Sequence, residues 1–297
     1  MLSLQQLING VSLGSVYALI AVGFALIFNI LKFSNFSHGG LMTLTAYLGY
    51  LGSLFFLSYF TSTPLLIVTL ATAAVAGALA AMGVERLAFR RLRNNGSPVI
   101  YYFISSITMG ILMENLVTIF ASSNFYSFPK FFATNVIEFA GVNIAVTDLL
   151  MLVVSASALG ILLWVIYHTK MGLAMRALSF DVNTANLMGM DSNTVVMATF
   201  LASGILGGLS GVFLGINYTL YPQLGQLIVK GFIASVIGGL GSITGAMLGA
   251  ILLGVVEVML IGLVGAGIAP AYIFVIMLVF LLLRPQGISG KITQEKA

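Results

Sequence analysis

The side chains of this 297-residue chain that could do acid–base, metal or nucleophilic chemistry are few and scattered. Its two histidines, His38 and His168, lie in different loops. Neither opens an HExxH helix, the spacing that sets two imidazoles on one face around a zinc ion. A GxxxxGK[ST] phosphate loop and a GxSxG nucleophile elbow are both absent. The lack of cysteine excludes disulfides, thiolate metal sites and cysteine nucleophiles. Two acids remain inside apolar runs, Glu114 and Glu257, and a charge within a membrane span is by default a functional candidate. We find no lysine or arginine within a span to pair with them. Each is read either as a transport group or as one that snorkels, pairs with a serine or asparagine, or faces a partner subunit. No catalytic or metal-binding residue is assigned, and the chain is not expected to be an enzyme.

The elements that would position such groups follow from composition. Hydrophobic residues make up 60% of the chain and charged residues only 7%, against roughly 25% charged in a soluble domain. Too few charged residues exist to coat a soluble core, so apolar surface must face lipid. A formal charge of +4 could suggest nucleic acid, but the basic residues sit sparsely at the ends of apolar runs, which argues against it. The opening MLSLQQLING lacks a basic n-region, so the first apolar run is read as a retained transmembrane helix.

About 20 apolar residues are needed per crossing. Spans are expected over Gly10–Leu31, Gly39–Phe60, Pro64–Val84, Val99–Ala121, Asp148–Tyr167 and Thr194–Ile216, then a glycine-broken stretch Ile228–Val264 and a last span Ile268–Leu283. The fold class is all-α: a polytopic transmembrane helical bundle of about eight to nine membrane segments, forming one domain over residues 1–297. Orientation follows the distribution of lysine and arginine. Placing Arg86, Arg90, Arg91 and Arg93, then Lys170 and Arg176, then Arg284, Lys291 and Lys296 in the cytoplasm puts the N-terminus outside and the C-terminus inside. Lys32 falls inside as well, leaving Lys130 and Lys230 outside.

This parity requires an even number of crossings after Asn193, so Ile228–Val264 must cross twice or re-enter. Gly238, Gly239, Gly241 and Gly245 break it, and Ile228–Ile237 can cover only about half a membrane thickness as helix. A second break falls at Ser34, Asn35, Ser37, His38, Gly39 and Gly40. Paired breaks of this kind point to a transport pathway, because irregular backbone at depth must be covered by protein or water.

The long polar loop HTKMGLAMRALSFDVNTANLMGMDSN, residues 168–193, carries Ala174, Ala177, Leu178, Ala185, Leu187 and Met188 among polar groups. Asp181 can cap a short helix that Gly189 ends. Apolar residues on such a surface element are available to a partner, although an ordinary amphipathic loop helix has the same pattern.

Several blocks together carry a resemblance. LINGVSLGSVYALIAVGFALIFNILKFSNFSHGG, RALSFDVNTANLMGMD, GFIASVIGGLGSITGAMLGAILLGVVE and the closing RPQG are similar, in that order, to the signatures of branched-chain amino acid-type ABC importer permeases. Asn29 stands where a glycine is common, and Asn186 replaces a small residue. The resemblance implies a permease subunit for branched-chain or related small amino acids, with urea or short amides as the alternative solutes. It implies a second permease subunit (a paralogue or a second copy), two cytoplasmic ATPase subunits holding ATP and Mg, and an extracytoplasmic solute-binding protein, in a prokaryotic inner membrane. This chain itself would hold no cofactor. Arg176, Ala177, Asp181, Ala185, Leu187 and Gly189 become candidates for the ATPase-coupling segment. Asn35, Ser37, His38, Gly39, Gly239, Gly241, Ser242, Thr244 and Glu114 become candidates for the solute pathway. An ion-coupled secondary transporter, a stand-alone channel and a membrane enzyme are the rival readings. The first would need intramembrane coupling acids and leaves the coupling-type loop unexplained, the second would need neither ATPase nor binding protein, and against the third no nucleophile, base and metal set converges.

Overall fold

The computed structural model describes residues 4–60, 62–131, 136–139, 142–284 and 286–289. Lys291 and Lys296, which the topology argument used, lie outside the described residues.

Helix α1, Leu4–Leu31, is apolar around its whole circumference and buried from Ser12 through Ile27, except where it meets its ends. A helix apolar on every face belongs at the centre of a bundle. It packs against α6 (Val146–His168), α9 (Ser192–Tyr218), α10 (Ile228–Gly238) and α11 (Ile243–Val264). Around it run α2 (Ser37–Phe56), α3 (Ser62–Val84), α5 (Val99–Ala121), α6, α9, α11 and α12 (Ala269–Leu283). Seven helices in the described residues are long and apolar enough to cross a membrane. At 15 residues α12 is shorter, and α10 (Ile228–Gly238) has only 11, about half a crossing at 1.5 Å per residue. The chain is a multi-pass membrane protein and a polytopic helical bundle, as the sequence led us to expect, with seven long apolar helices and these two shorter ones among the described residues.

Small residues let these helices approach closely, as lipid-embedded bundles require. Gly77 of α3 meets Gly204 of α9, and Gly14 of α1 meets Gly254 of α11, backbone on backbone. A π turn at Glu85–Phe89 prolongs α3 into the short α4 (Arg90–Asn94). The strands β1 (Val136–Phe139) and β2 (Val142–Ala145) form an antiparallel hairpin before α6. The sequence reading had no strand here, and the hairpin is a small addition to an otherwise helical chain. Asn143 on the hairpin bonds Gln5 at the start of α1.

The two ends of the bundle differ in charge. One gathers the end of α1 with Lys32, the arginines of the π turn and α4, the helices α7 (Lys170–Phe180) and α8 (Val182–Leu187), the 239–242 turn and Arg284. Eight of the ten described lysines and arginines are here. Lys130 lies toward the other end with the hairpin. Lys230 lies between α1, α9 and α11, beside Tyr17 and Tyr218.

Candidate functional site

The first break begins α2 well inside the bundle. Asn35 Oδ1 accepts from the Ser37 N–H at 3.2 Å and the Ser37 hydroxyl at 2.6 Å, turning the chain into the helix. Ser106 of α5 pins the turn, its hydroxyl accepting from the Phe36 N–H. His38 packs on Gly23, eight residues before the end of α1, which sets the start of α2 about 12 Å inside that end.

His38 is fully buried. Ser203 of α9 donates its hydroxyl proton to Gly23 O at 2.9 Å, so it accepts from His38 Nδ1–H at 3.2 Å. The ring is flanked by glycine on both sides, more tightly at Gly23 than at Gly207. A Cβ at position 23 would stand 2.7 Å from His38 Nε2, and one at 207 would stand 3.0 Å from Cε1. Within one chain Asn35, Ser37 and His38 thus form an interior node joining α1, α2 and α9, while Gly39 lies against Gly225.

The second break is a turn at the basic end. Gly239 (φ +107°) and Gly241 (φ +88°) adopt the left-handed region that favours glycine, and Ser242 caps α11 by accepting from the Gly245 N–H. Thr244 is exposed and Gly241 faces Asn29 of α1. The structure separates the two sets that the sequence grouped. The Asn35–Gly39 break meets residues 225–232 instead, with Phe36 against Phe232 and Gly39 against Gly225 and Ile228. Residues 219–238 explain the parity of crossings: a short 3-10 turn, Pro222–Leu227, descends to α10, which continues to the basic end. The turn exposes Gln223 and Gln226. It touches α5, the least buried long helix, where Glu114 is half-buried with no hydrogen bond to its carboxylate among the described residues.

Sequence reasoning missed the polar cluster at the start of α10. Lys230 Nζ lies 2.5 Å from Glu257 Oε1 of α11 and donates to the Tyr17 hydroxyl of α1 at 2.9 Å. The Tyr17 and Tyr218 hydroxyls are 3.1 Å apart, and both rings face the ammonium at 5.2 and 5.4 Å. The intramembrane lysine partner that Glu257 was expected to lack is therefore present. An unpaired charge at mid-span costs about 2.5–3.5 kcal/mol, which makes pairing the expected state. The signal lay in parity: a broken crossing whose helix starts at Ile228 carries Lys230 inward.

At the basic end, α7 and α8 form the element expected within residues 168–193. Asp181 caps α8, accepting from the Asn183 N–H at 2.9 Å and the Thr184 hydroxyl at 2.5 Å. The Thr184 hydroxyl first, then the Asn183 N–H, holds the Asp181 carboxyl below the usual carboxylate range. Gly189 (φ +84°) ends the segment. Arg176 stacks on Tyr167 at 5.5 Å, and Ala177 is half-buried. Ala185 is buried with Met175 and Leu178 against Val195 and Phe200, so it supports the element from within. The surface free for a partner is Leu187, 88% exposed, with Met188 and Phe180; the sequence reading passed over Phe180. The described residues contain no cluster of three or more potential metal ligands.

A family described as "Branched-chain amino acid transport system / permease component" matches residues 6–283. The high-affinity branched-chain amino acid transport system permease protein BraD of Pseudomonas aeruginosa is 34% identical, over 99% of this chain and 97% of its own. The corresponding protein LivH of Salmonella typhimurium is 32% identical over the same shares. Among solved structures, PsaBC from Streptococcus pneumoniae in complex with Fab aligns with a TM-score of 0.51 and 17% identity. That alignment covers 93% of this chain and 89% of that one, a likeness of fold alone.

Proposed function

The chain belongs to the branched-chain amino acid transport system permease family, and from that premise we propose that it is the membrane-spanning permease subunit of an ATP-driven importer of branched-chain amino acids. It sits in the inner membrane of a prokaryote with the basic end in the cytoplasm, the N-terminus outside and the C-terminus inside, as the lysine and arginine distribution favours.

The observation that carries the ATP-driven reading is the α7–α8 element. It leaves Phe180, Leu187 and Met188 bare at the basic end of a chain that has no phosphate loop of its own. Apolar side chains exposed together on a short, capped element mark a docking surface. Two ATPase subunits, which hold the ATP and Mg, dock on this element and its counterpart in a second permease subunit. An extracytoplasmic binding protein delivers the solute.

The solute pathway runs along the face where the Pro222–Leu227 turn meets α5, with Gln223, Gln226 and Glu114 as its polar groups. Asn35, Ser37, His38 and Gly39 fix the break behind that face. Gly239, Gly241, Ser242 and Thr244 form the turn at its basic end. Broken helices that present backbone and amide groups suit a zwitterionic solute.

Uptake of labelled leucine into proteoliposomes containing both permeases, the ATPases and the binding protein tests the reading. Uptake that requires both ATP and binding protein is the expected result. Uptake driven by an imposed ion gradient without ATP would make the chain a secondary transporter, and selective uptake of urea would reassign the solute.

A further inference from the structure

Lys230 occupies an unusual position for a cation. It lies in the first turn of α10, where the helix dipole disfavours positive charge, and inside the bundle, where hydration is lost. Two features offset this: the Glu257 carboxylate, and the faces of Tyr17 and Tyr218. A well-packed apolar pair would commonly stabilise such a site as well or better. What an apolar contact cannot supply is a single register, because it is non-directional and tolerates sliding.

The need for register is specific to α10. The helix is short, begins inside the bundle and follows an irregular turn, so its own length does not fix its depth. Its far end is held by backbone bonds from Ile288 and Ser289 to Ile237 and Gly238. At its near end Lys230 is, among the described residues, the one α10 side chain with a polar partner on another element. Through it α1, α9, α10 and α11 meet at a single ammonium group. Four residues earlier in the chain stands Gln226, exposed on the proposed pathway face.

We propose that the Lys230–Glu257 pair, with Tyr17 and Tyr218, is a positioning device that fixes the depth of the short helix α10, and hence of the 222–227 turn, during transport. Lys230 and Glu257 are positioning residues, acting through the turn without touching solute. The inference rests on the permease reading above.

The test compares four backgrounds in the full transporter: Lys230→Met, Glu257→Gln, the apolar pair Lys230→Met/Glu257→Leu, and the exchange Lys230→Glu/Glu257→Lys. The single variants and the apolar pair are expected to lose at least tenfold in ATP-dependent uptake. The apolar pair should insert and co-purify with the ATPases at the normal level, and the exchange should recover uptake to within about threefold. Apolar-pair uptake at the wild-type rate would overturn the proposal.

A second readout serves if any variant folds poorly. The chain has no cysteine, so Gln226→Cys gives a single thiol whose labelling rate in resting membranes reports the depth of the turn. Tyr17→Phe, which removes only the hydroxyl, is expected to change that rate several-fold, and an unchanged rate would overturn the proposal. Labelling is independent of which solute is carried. Failure of the wild-type complex to transport therefore counts against the permease reading alone.

Discussion

The Arg93 guanidinium lies 2.5 Å from the Glu85 carboxylate on the π turn and, through the same Nη2, 2.6 Å from Asn193 Oδ1 at the start of α9. Glu85 has no exposed surface, and Arg90 adds a longer contact at 3.4 Å. The node ties the arginine-rich turn after α3 to the residues that directly follow the α7–α8 element. Removing one member of a buried ion pair costs about 3–5 kcal/mol, because the other charge stays buried without compensation. Arg93→Met should therefore lower the thermal stability of the detergent-solubilised protein more than Glu85→Gln, which leaves a neutral hydrogen-bonding side chain. Equal melting temperatures for the two variants would contradict this account.

The His38 slot predicts a rank order. Alanine at position 23 places a methyl 2.7 Å from the ring, whereas alanine at 207 meets it at 3.0 Å. Overpacking of this kind costs about 1–3 kcal/mol. Gly23→Ala should be the more destabilising of the two in thermal unfolding, and His38→Ala in the same chain should relieve part of the loss. Additive losses would show that the clash is not with His38.

For the docking surface, Leu187→Arg or Phe180→Asp should weaken ATPase association at least tenfold, about 1.4 kcal/mol, with membrane insertion unchanged. Ala185→Arg should also weaken it, but by disrupting α8 from within, visible as faster protease cleavage of residues 180–190. Co-purification with and without limited proteolysis separates the two effects.

Asp181 gives a pH dependence with a defined sign. Its carboxyl is held below the usual range in the folded state, so the cap contributes above the unfolded value near 3.9 and is lost as pH falls through the lower folded value. Amide exchange across residues 182–188, corrected for intrinsic rates, should stay protected from neutral pH down to about 4 and rise below it. Asp181→Ala should show the raised exchange at neutral pH.

Topology can be read with single thiols. Asn124→Cys, on the exposed stretch after α5, should react with an impermeant reagent from outside, and Asn94→Cys should not. The reverse pattern would invert the proposed orientation.

How much of this was legible beforehand depended on whether a feature was local. The span Val99–Ala121 matches to the residue, because Pro98 opens it and polar Ser122 and Ser123 close it. The Asp181 cap and Gly189 stop were equally readable, since each acts within a few positions. That the stretch before α11 makes a broken crossing of its own followed from counting crossings, which had left a re-entrant segment as the alternative. The contacts that organise the interior were not legible, because they join distant positions. Lys230 meets Glu257 only once α10 has turned inward, and His38 meets Ser203 only where α2 starts below the end of α1. The hairpin at 136–145 was missed for another reason: two four-residue strands are too short to show alternation.

At the end opposite the arginines the loop after α5 is bound to the chain that follows α9. Tyr126 and Leu220 exchange backbone hydrogen bonds of 2.9 and 2.8 Å, and Phe125 packs on Tyr221. The loop leaving α5 is thereby laced to the point where the chain turns back into the bundle. In mechanical terms the loop and the broken crossing are coupled at this one bridge. A displacement of the loop near Tyr126 that keeps these two hydrogen bonds must carry with it the stretch that leads to the 222–227 turn.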